Sequence, residues 1–149
     1  MEWIDALWGK AVGLDTAPLI YFIEENPAYL DMVYPFFGAM DHGDFSVVTS
    51  VVTLLEVLVH PFRHGDTILA QQYRDVLLNA KGLTTLLLSQ DIAEEAARLR
   101  ATHNIRTPDA IQMATATYAG ASFFLTNDSR LPSLPGLEVL VLDELKTVS

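Results

Sequence analysis

Short apolar runs alternate along this chain with longer stretches in which apolar residues recur every three or four positions. Runs of the first kind suit strands buried on both faces, and the longer stretches suit helices that cover them. Strands are expected at residues 11–15, 45–49, 83–89, 121–126 and 137–142. Helices are expected at 18–25, at 28–40 beyond the break at Pro27, around 54–58, and at 66–80 with Gly82 just past the end. The 54–58 helix is expected to stop at His60-Pro61, because proline has no N–H to give to a helix interior. Asp41-His42-Gly43-Asp44 reads as a turn.

Later in the chain, Asp91 with Glu94 three residues on has the form of a capping box. The helix it opens would align Ile92, Ala96 and Leu99 on one face and pair Glu94 with Arg98 in solvent. Thr107-Pro108 reads as the cap and first-turn proline of a further helix. Its apolar stripe would be Ile111, Ala114 and Tyr118, and Gly120 would close it. This alternation predicts an α/β fold: a central, mostly parallel twisted sheet of four to five strands flanked by helices in three layers.

The first ten residues stand apart from the pattern. Trp3, Ile4, Leu7 and Trp8 can share one face of a short helix, packed either on the chain's own domain or on another subunit or partner. With no internal repeat and no linker-like stretch, residues 1–149 read as a single domain, of which 1–10 are an extra N-terminal segment.

Composition narrows the class. Half of the 149 residues are hydrophobic and 19% are charged, which excludes a disordered chain. The absence of cysteine removes disulfides, thiolate zinc sites and thiol catalysis, and suits a reducing cytoplasm. No apolar run reaches the length of a membrane span, and the acidic start Met1-Glu2-Trp3-Ile4-Asp5 is unlike a signal peptide. A cytoplasmic protein is expected. The formal net charge of −10 argues against coating nucleic acid by phosphate neutralisation alone. It leaves nuclease chemistry open, because a metal ion on a carboxylate cluster reverses the local sign.

Four acids sit where one element gives way to the next. Asp15 and Asp128 follow apolar runs, Asp109 follows Thr107-Pro108, and Glu56 lies inside the apolar stretch Leu54-Leu55-Glu56-Val57-Leu58. Each of the first three has an ordinary reading, as a helix cap, a turn residue or a first-turn acid. Glu56 is harder to explain so, since burying an unpaired carboxylate is costly. In an open α/β sheet, sites form outside the carboxyl ends of the strands. Four carboxylates converging there would either take up protons or bind a cation, and all-oxygen ligands suit Mg²⁺ or Mn²⁺.

The flanking residues resemble a known family. Gly13-Leu14-Asp15-Thr16-Ala17-Pro18-Leu19-Ile20-Tyr21 is similar to the opening of PIN-domain ribonucleases, and Ser50-Val51-Val52-Thr53-Leu54-Leu55-Glu56-Val57 to their second block. Arg106-Thr107-Pro108-Asp109-Ala110-Ile111-Gln112-Met113-Ala114-Thr115-Ala116 is the most specific match. Phe124-Leu125-Thr126-Asn127-Asp128-Ser129-Arg130-Leu131 resembles the fourth block, and all four occur in the family's order. PIN domains of this compact size are often VapC-like toxins of toxin–antitoxin pairs. The resemblance implies a PIN-like fold and a metal-dependent endoribonuclease acting on RNA, a homodimer restrained by an antitoxin protein that blocks the acidic pocket.

It also implies that Asp15, Glu56, Asp109 and Asp128 are the metal-binding and catalytic acids. Asp15 and Asp109 are the foremost direct ligands, while Glu56 and Asp128 bind a second ion or hold its waters. Thr16, Ser50, Thr126 and Asn127 are candidate donors that orient the carboxylates, with Thr16 and Ser50 equally able to serve as helix caps. Arg106 and Arg130 are the nearest cations for RNA, unless they only pair with neighbouring acids. A haloacid-dehalogenase-type phosphatase built on Asp15 would want an acid two positions on, where Ala17 stands. A zinc hydrolase finds His60 and His64 four apart but with Pro61 between them, and His42 and His103 without ligand-like spacing. The remaining alternative is a non-catalytic PIN-like module that binds a partner through the acidic pocket.

Overall fold

Successive side chains of a strand point to opposite faces, and here that alternation fills two separate apolar cores. The computed structural model describes residues 1–146, so the last three residues of the expected domain lie outside the described residues. The elements are α1 (Glu2–Asp5), β1 (Ala11–Leu14), α2 (Thr16–Ile23), α3 (Leu30–His42), β2 (Ser46–Ser50), α4 (Val51–His64) and α5 (Thr67–Asn79). Then follow β3 (Leu83–Leu86), α6 (Gln90–Thr102), α7 (Thr107–Tyr118), β4 (Phe123–Thr126), β5 (Glu138–Val141) and α8 (Leu142–Leu145). The five strands form one parallel sheet in the order β3-β2-β1-β4-β5, within the expected class.

Val47 and Leu125 face a core built with α2, α3, α4 and α5, while their neighbours Val48 and Phe124 face a second core built with α6 and α7. The molecule is therefore helices, sheet, helices. Gly13 shows how closely the second layer approaches. A Cβ at Gly13 would stand 2.5 Å from the Cβ of Ala116 and 2.9 Å from a ring carbon of Phe124, so glycine is what lets α7 lie against β1. Among the described residues no helix is long and apolar enough to cross a membrane.

Several local expectations give way. Helix α4 does not stop at His60-Pro61 but continues to His64, and Gly65 ends it in the left-handed conformation at φ 66°. Pro61 gives up one N–H bond inside the helix, and its ring, buried against the fold, offsets that loss. Likewise α3 runs on to His42, so the turn expected over 41–44 shrinks to Gly43 and Asp44, with Gly43 as the left-handed cap. Strand β3 ends at Leu86 because the chain must turn to Ser89, whose Oγ accepts from the N–H of Ile92 at 3.2 Å and caps α6. Asp91 is thus already inside the helix and no capping box with Glu94 forms. Arg98 pairs with Glu95, three residues away at 3.1 Å, rather than with Glu94.

Thr107 is the first residue of α7 rather than its cap, a place taken by Arg106 without a side-chain bond. The expected stripe on that helix is also wrong in part. Tyr118 is exposed, whereas Ala110, Met113 and Ala114 are fully buried, because α7 is covered by the sheet and α6 together. At the N-terminus, Ile4 and Leu7 enter the chain's own core and Trp3 stacks on Phe36 with ring centroids 6.0 Å apart. Trp8 does not share that face; it is 69% exposed.

Candidate active site: a carboxylate cleft at the strand ends

Strands β1 and β4 are neighbours in the same direction, so the residues just beyond them emerge side by side. Asp15 follows β1 and caps α2, and its N–H bonds the carbonyl of Leu125 at 2.9 Å. Asp128 follows β4 by two residues. Asp109 sits in the first turn of α7, and Glu56 in the second turn of α4. All four acids line one open cleft of about 480 Å³, with Thr16, Thr126, Asn127, Arg106 and Arg130 around them.

The four acids differ in setting. Asp15 is buried at 9% exposure, and its carboxylate accepts from the Thr126 hydroxyl at 2.7 Å and from the Thr16 N–H at 2.9 Å. Burial pushes its carboxyl up to about 6 from an ordinary 3.8; the two hydrogen bonds oppose the rise, and the charges of Asp109 and Glu56 add to it. Asp109 is also buried and bonds Arg106 Nε at 3.1 Å. Asp128 takes both oxygens to Arg130, at 2.9 Å each, and that bond holds its carboxyl below the ordinary range despite some desolvation. Glu56 is exposed, contrary to the burial its apolar neighbours suggested, because Leu55 and Val59 are themselves on the surface of α4. It accepts from the Thr16 hydroxyl at 2.7 Å.

Of the residues expected to orient the acids, Thr16 and Thr126 are hydrogen-bonded to them. Ser50 instead caps α4, accepting from the N–H of Val52 at 3.1 Å. Asn127 turns away from the acids, donating to the Tyr21 hydroxyl at 3.1 Å and accepting from the N–H of Asp143 at 2.9 Å.

Beneath the cleft lies a buried polar chain that sequence reading missed. Gln112 Nε2 donates to the Thr53 hydroxyl, and its Oε1 lies 3.3 Å from both the Ser50 N–H and the Thr49 hydroxyl. Thr49 Oγ1 has a single proton, and its shortest acceptor is the carbonyl of Leu14 at 2.8 Å; Thr53, 2.9 Å away, then donates to Thr49. Each of these groups is buried, and each is satisfied. The available signal was spacing alone: Thr53 and Gln112 stand three residues from Glu56 and Asp109 on the same helix faces.

The donor chemistry of the cleft fits a hard divalent cation. Every candidate ligand is oxygen, and among the described residues no ion pair involves Asp15. As the side chains stand, no group of three or more histidine, aspartate or glutamate residues is gathered tightly enough to hold a metal, among the described residues. Arg106 and Arg130 occupy two of the acids, through guanidinium groups that are 71% and 76% exposed. Each pair thus joins a solvent-exposed guanidinium to a carboxylate that is 12% or 22% exposed. The continuous α4 also removes the original ground for dismissing His60 and His64, whose rings lie 4.3 Å apart, but among the described residues no third ligand joins them.

A family model for the PIN domain matches residues 12–137. No curated protein matches the sequence. Among solved structures, the chain is similar to one described as a toxin–antitoxin complex from Klebsiella pneumoniae, at 24% identity and a TM-score of 0.65, covering 89% of this chain and 97% of that one. It is also similar to VapBC2 from Rickettsia felis bound to a promoter DNA fragment, at 18% identity and a TM-score of 0.70 over 88% and 98% of the two chains. A third likeness is to Mycobacterium tuberculosis VapC20, described as a sarcin–ricin loop cleaving toxin, at 15% identity and a TM-score of 0.63 over 76% and 86%.

Proposed function

The chain belongs to the PIN-domain family, and from that premise we propose that it is a metal-dependent endoribonuclease, the toxin of a toxin–antitoxin pair. The observation that carries this reading is the convergence of Asp15, Glu56, Asp109 and Asp128 on one cleft from four separate segments. Asp15, Asp109 and Glu56 would hold a divalent cation, Mg²⁺ or Mn²⁺, with Asp128 at its edge. When bound, such an ion supplies a water of lowered pKa and neutralises charge building on a phosphate.

The chain's own residues do the rest. Thr126 and the Thr16 N–H fix the two oxygens of Asp15, and the Thr16 hydroxyl fixes Glu56. These bonds keep the acids aimed into the cleft before substrate arrives. Arg106 and Arg130 stand on the rim with planar, bidentate groups suited to phosphate, and both guanidinium groups are largely exposed. The toxin assignment draws on the toxin–antitoxin structures among the chain's likenesses. An antitoxin covering the cleft, a homodimer, a cytoplasmic setting and a single domain over residues 1–149 complete the reading.

The test is cleavage of end-labelled RNA with Mg²⁺, with Mn²⁺ and with EDTA. Asp15→Asn is expected to lose at least about 10²–10³-fold in rate, the scale of removing one preorganised electrostatic group, while remaining folded. Cleavage by Asp15→Asn at the wild-type rate, or cleavage indifferent to EDTA, would overturn the reading. Failure of the wild type to cut any RNA with either ion would favour a non-catalytic module that binds a partner through the same acids.

A further inference from the structure

Tyr21 lines the acidic cleft from α2, and the ring of Tyr29 lies against it, centroids 4.1 Å apart and planes 7° from parallel. The two tyrosines are joined by a closed circuit of polar contacts. Asn127 donates to the Tyr21 hydroxyl at 3.1 Å, the Asp143 N–H donates to Asn127 at 2.9 Å, and the Tyr29 hydroxyl donates to Asp143 at 2.7 Å. The Lys146 ammonium sits over the Tyr29 ring, 4.1 Å from its centre. Asn127 stands between Thr126, which holds Asp15, and Asp128, so the stack is fixed in register with the carboxylates.

The segment that delivers Tyr29 begins at the end of α2, where Glu25 takes the left-handed conformation at φ 52° and the N–H groups of Asn26 and Glu25 bond the carbonyls of Tyr21 and Phe22 at 2.9 and 3.3 Å. Asn26 then closes the turn, its Oδ1 accepting from the Ala28 N–H at 2.9 Å. Both tyrosines are only half-buried, and both hydroxyls are tied down at the rim rather than packed away.

Charge sharpens the point. With a net charge of −10, and with two arginines at the cleft's rim to meet a phosphate, this surface has little to offer a long phosphate backbone. Base stacking does not depend on net charge, and each base stacked on an aromatic ring is worth about 1–3 kcal/mol. Unpaired bases of RNA loops and single strands present the faces for it.

We propose that the Tyr21–Tyr29 stack is a nucleobase platform: it takes one unpaired base of the RNA beside a phosphate at the cleft's rim, and so selects where the strand lies. The proposal rests on the nuclease reading for its substrate, and its test separates the two. Fluorescence anisotropy measures binding of labelled single-stranded RNA to the full chain in EDTA, with one abasic position walked along the oligonucleotide. At one position the wild type loses about 5- to 100-fold in affinity, the equivalent of one stacked base. Tyr21→Leu binds the intact RNA weaker by the same factor and is indifferent to the abasic position, while Tyr21→Phe keeps the wild-type penalty. A merely structural role for Tyr21 would weaken every oligonucleotide alike and leave the abasic penalty in place, which would overturn the proposal. A wild type that binds no RNA, or is indifferent to every abasic position, would overturn it as well. Should Tyr21→Leu fail to fold, Tyr21→Gln carries the same comparison. Cleavage of the same oligonucleotides with Mn²⁺ is scored separately: cutting without a stacking position sinks the platform alone, and a stacking position without cutting sinks the nuclease reading alone.

Discussion

Asp15 and Asp128 emerge from adjacent parallel strands into the same cleft, yet they are held in opposite ways. Asp15, on the floor, has two neutral donors and is pushed up to about 6. Asp128, on the rim, has a forked bond from Arg130 and is held below the ordinary range. The difference lies in burial and in partner: Asp15 is largely desolvated and its two neutral donors do not offset that, whereas Asp128 keeps more of its water and gains a cation. The floor is thus short of positive charge and the rim already has it, a polarity suited to a site that receives a cation within and a phosphate at its edge.

Breaking the floor should have the largest effect on stability. Asp15→Asn, measured in EDTA, should be more stable than wild type at pH 7 by up to about 3 kcal/mol, the equivalent of the rise from 3.8 to about 6. The sign follows from proton binding. Between pH 4 and 6 the folded state holds the proton more tightly than the unfolded one, so wild type loses stability as pH rises through that window. The advantage of the asparagine variant should therefore vanish below about pH 4, grow to pH 6 and then level off. Denaturant unfolding across pH checks this, and a constant difference at all pH values would defeat it.

The polar chain under the floor comes next. Thr53→Val keeps the shape but leaves the Gln112 amide without its acceptor, at a cost of about 1–3 kcal/mol. Thermal unfolding reads it, and an unchanged midpoint would mean that Gln112 is satisfied elsewhere. The smallest effect is at the rim. Arg130→Gln should cost less than Thr53→Val, since the guanidinium it removes is 76% exposed. The carboxyl of Asp128 should move back up toward its ordinary range, as followed by carboxyl-carbon NMR titration. A larger loss than that of Thr53→Val would reverse the order of floor and rim.

Much of this was legible in the chain. Parallel strands between helices place residues 15 and 128 at one edge once β1 and β4 are neighbours, and an apolar strand followed by Asp carries that information locally. Glu56 was picked out for a reason that does not hold, since its apolar neighbours Leu55 and Val59 face outward. Periodicity reports which residues are apolar, not which face a helix finally buries. Thr49, Thr53 and Gln112 escaped because uncharged polar residues are common on surfaces, and only the crossing of β2, α4 and α7 makes them a buried chain. The extension of α4 through Pro61 was hidden for a like reason: burial of the ring and the Gly65 cap outweigh one lost bond.

One bond in the floor bears on how the molecule comes into being. The Thr126 hydroxyl that holds Asp15 lies 111 residues further along the chain. The first three strands and their helices can be synthesised, and can begin to pair, while Asp15 still has no β4 beside it. Contacts so distant in sequence form late and slowly. A nascent chain on the ribosome therefore carries Asp15 and Glu56 for much of its synthesis without the cleft that joins them to Asp109 and Asp128, and whatever the cleft does to RNA begins only when translation has passed β4.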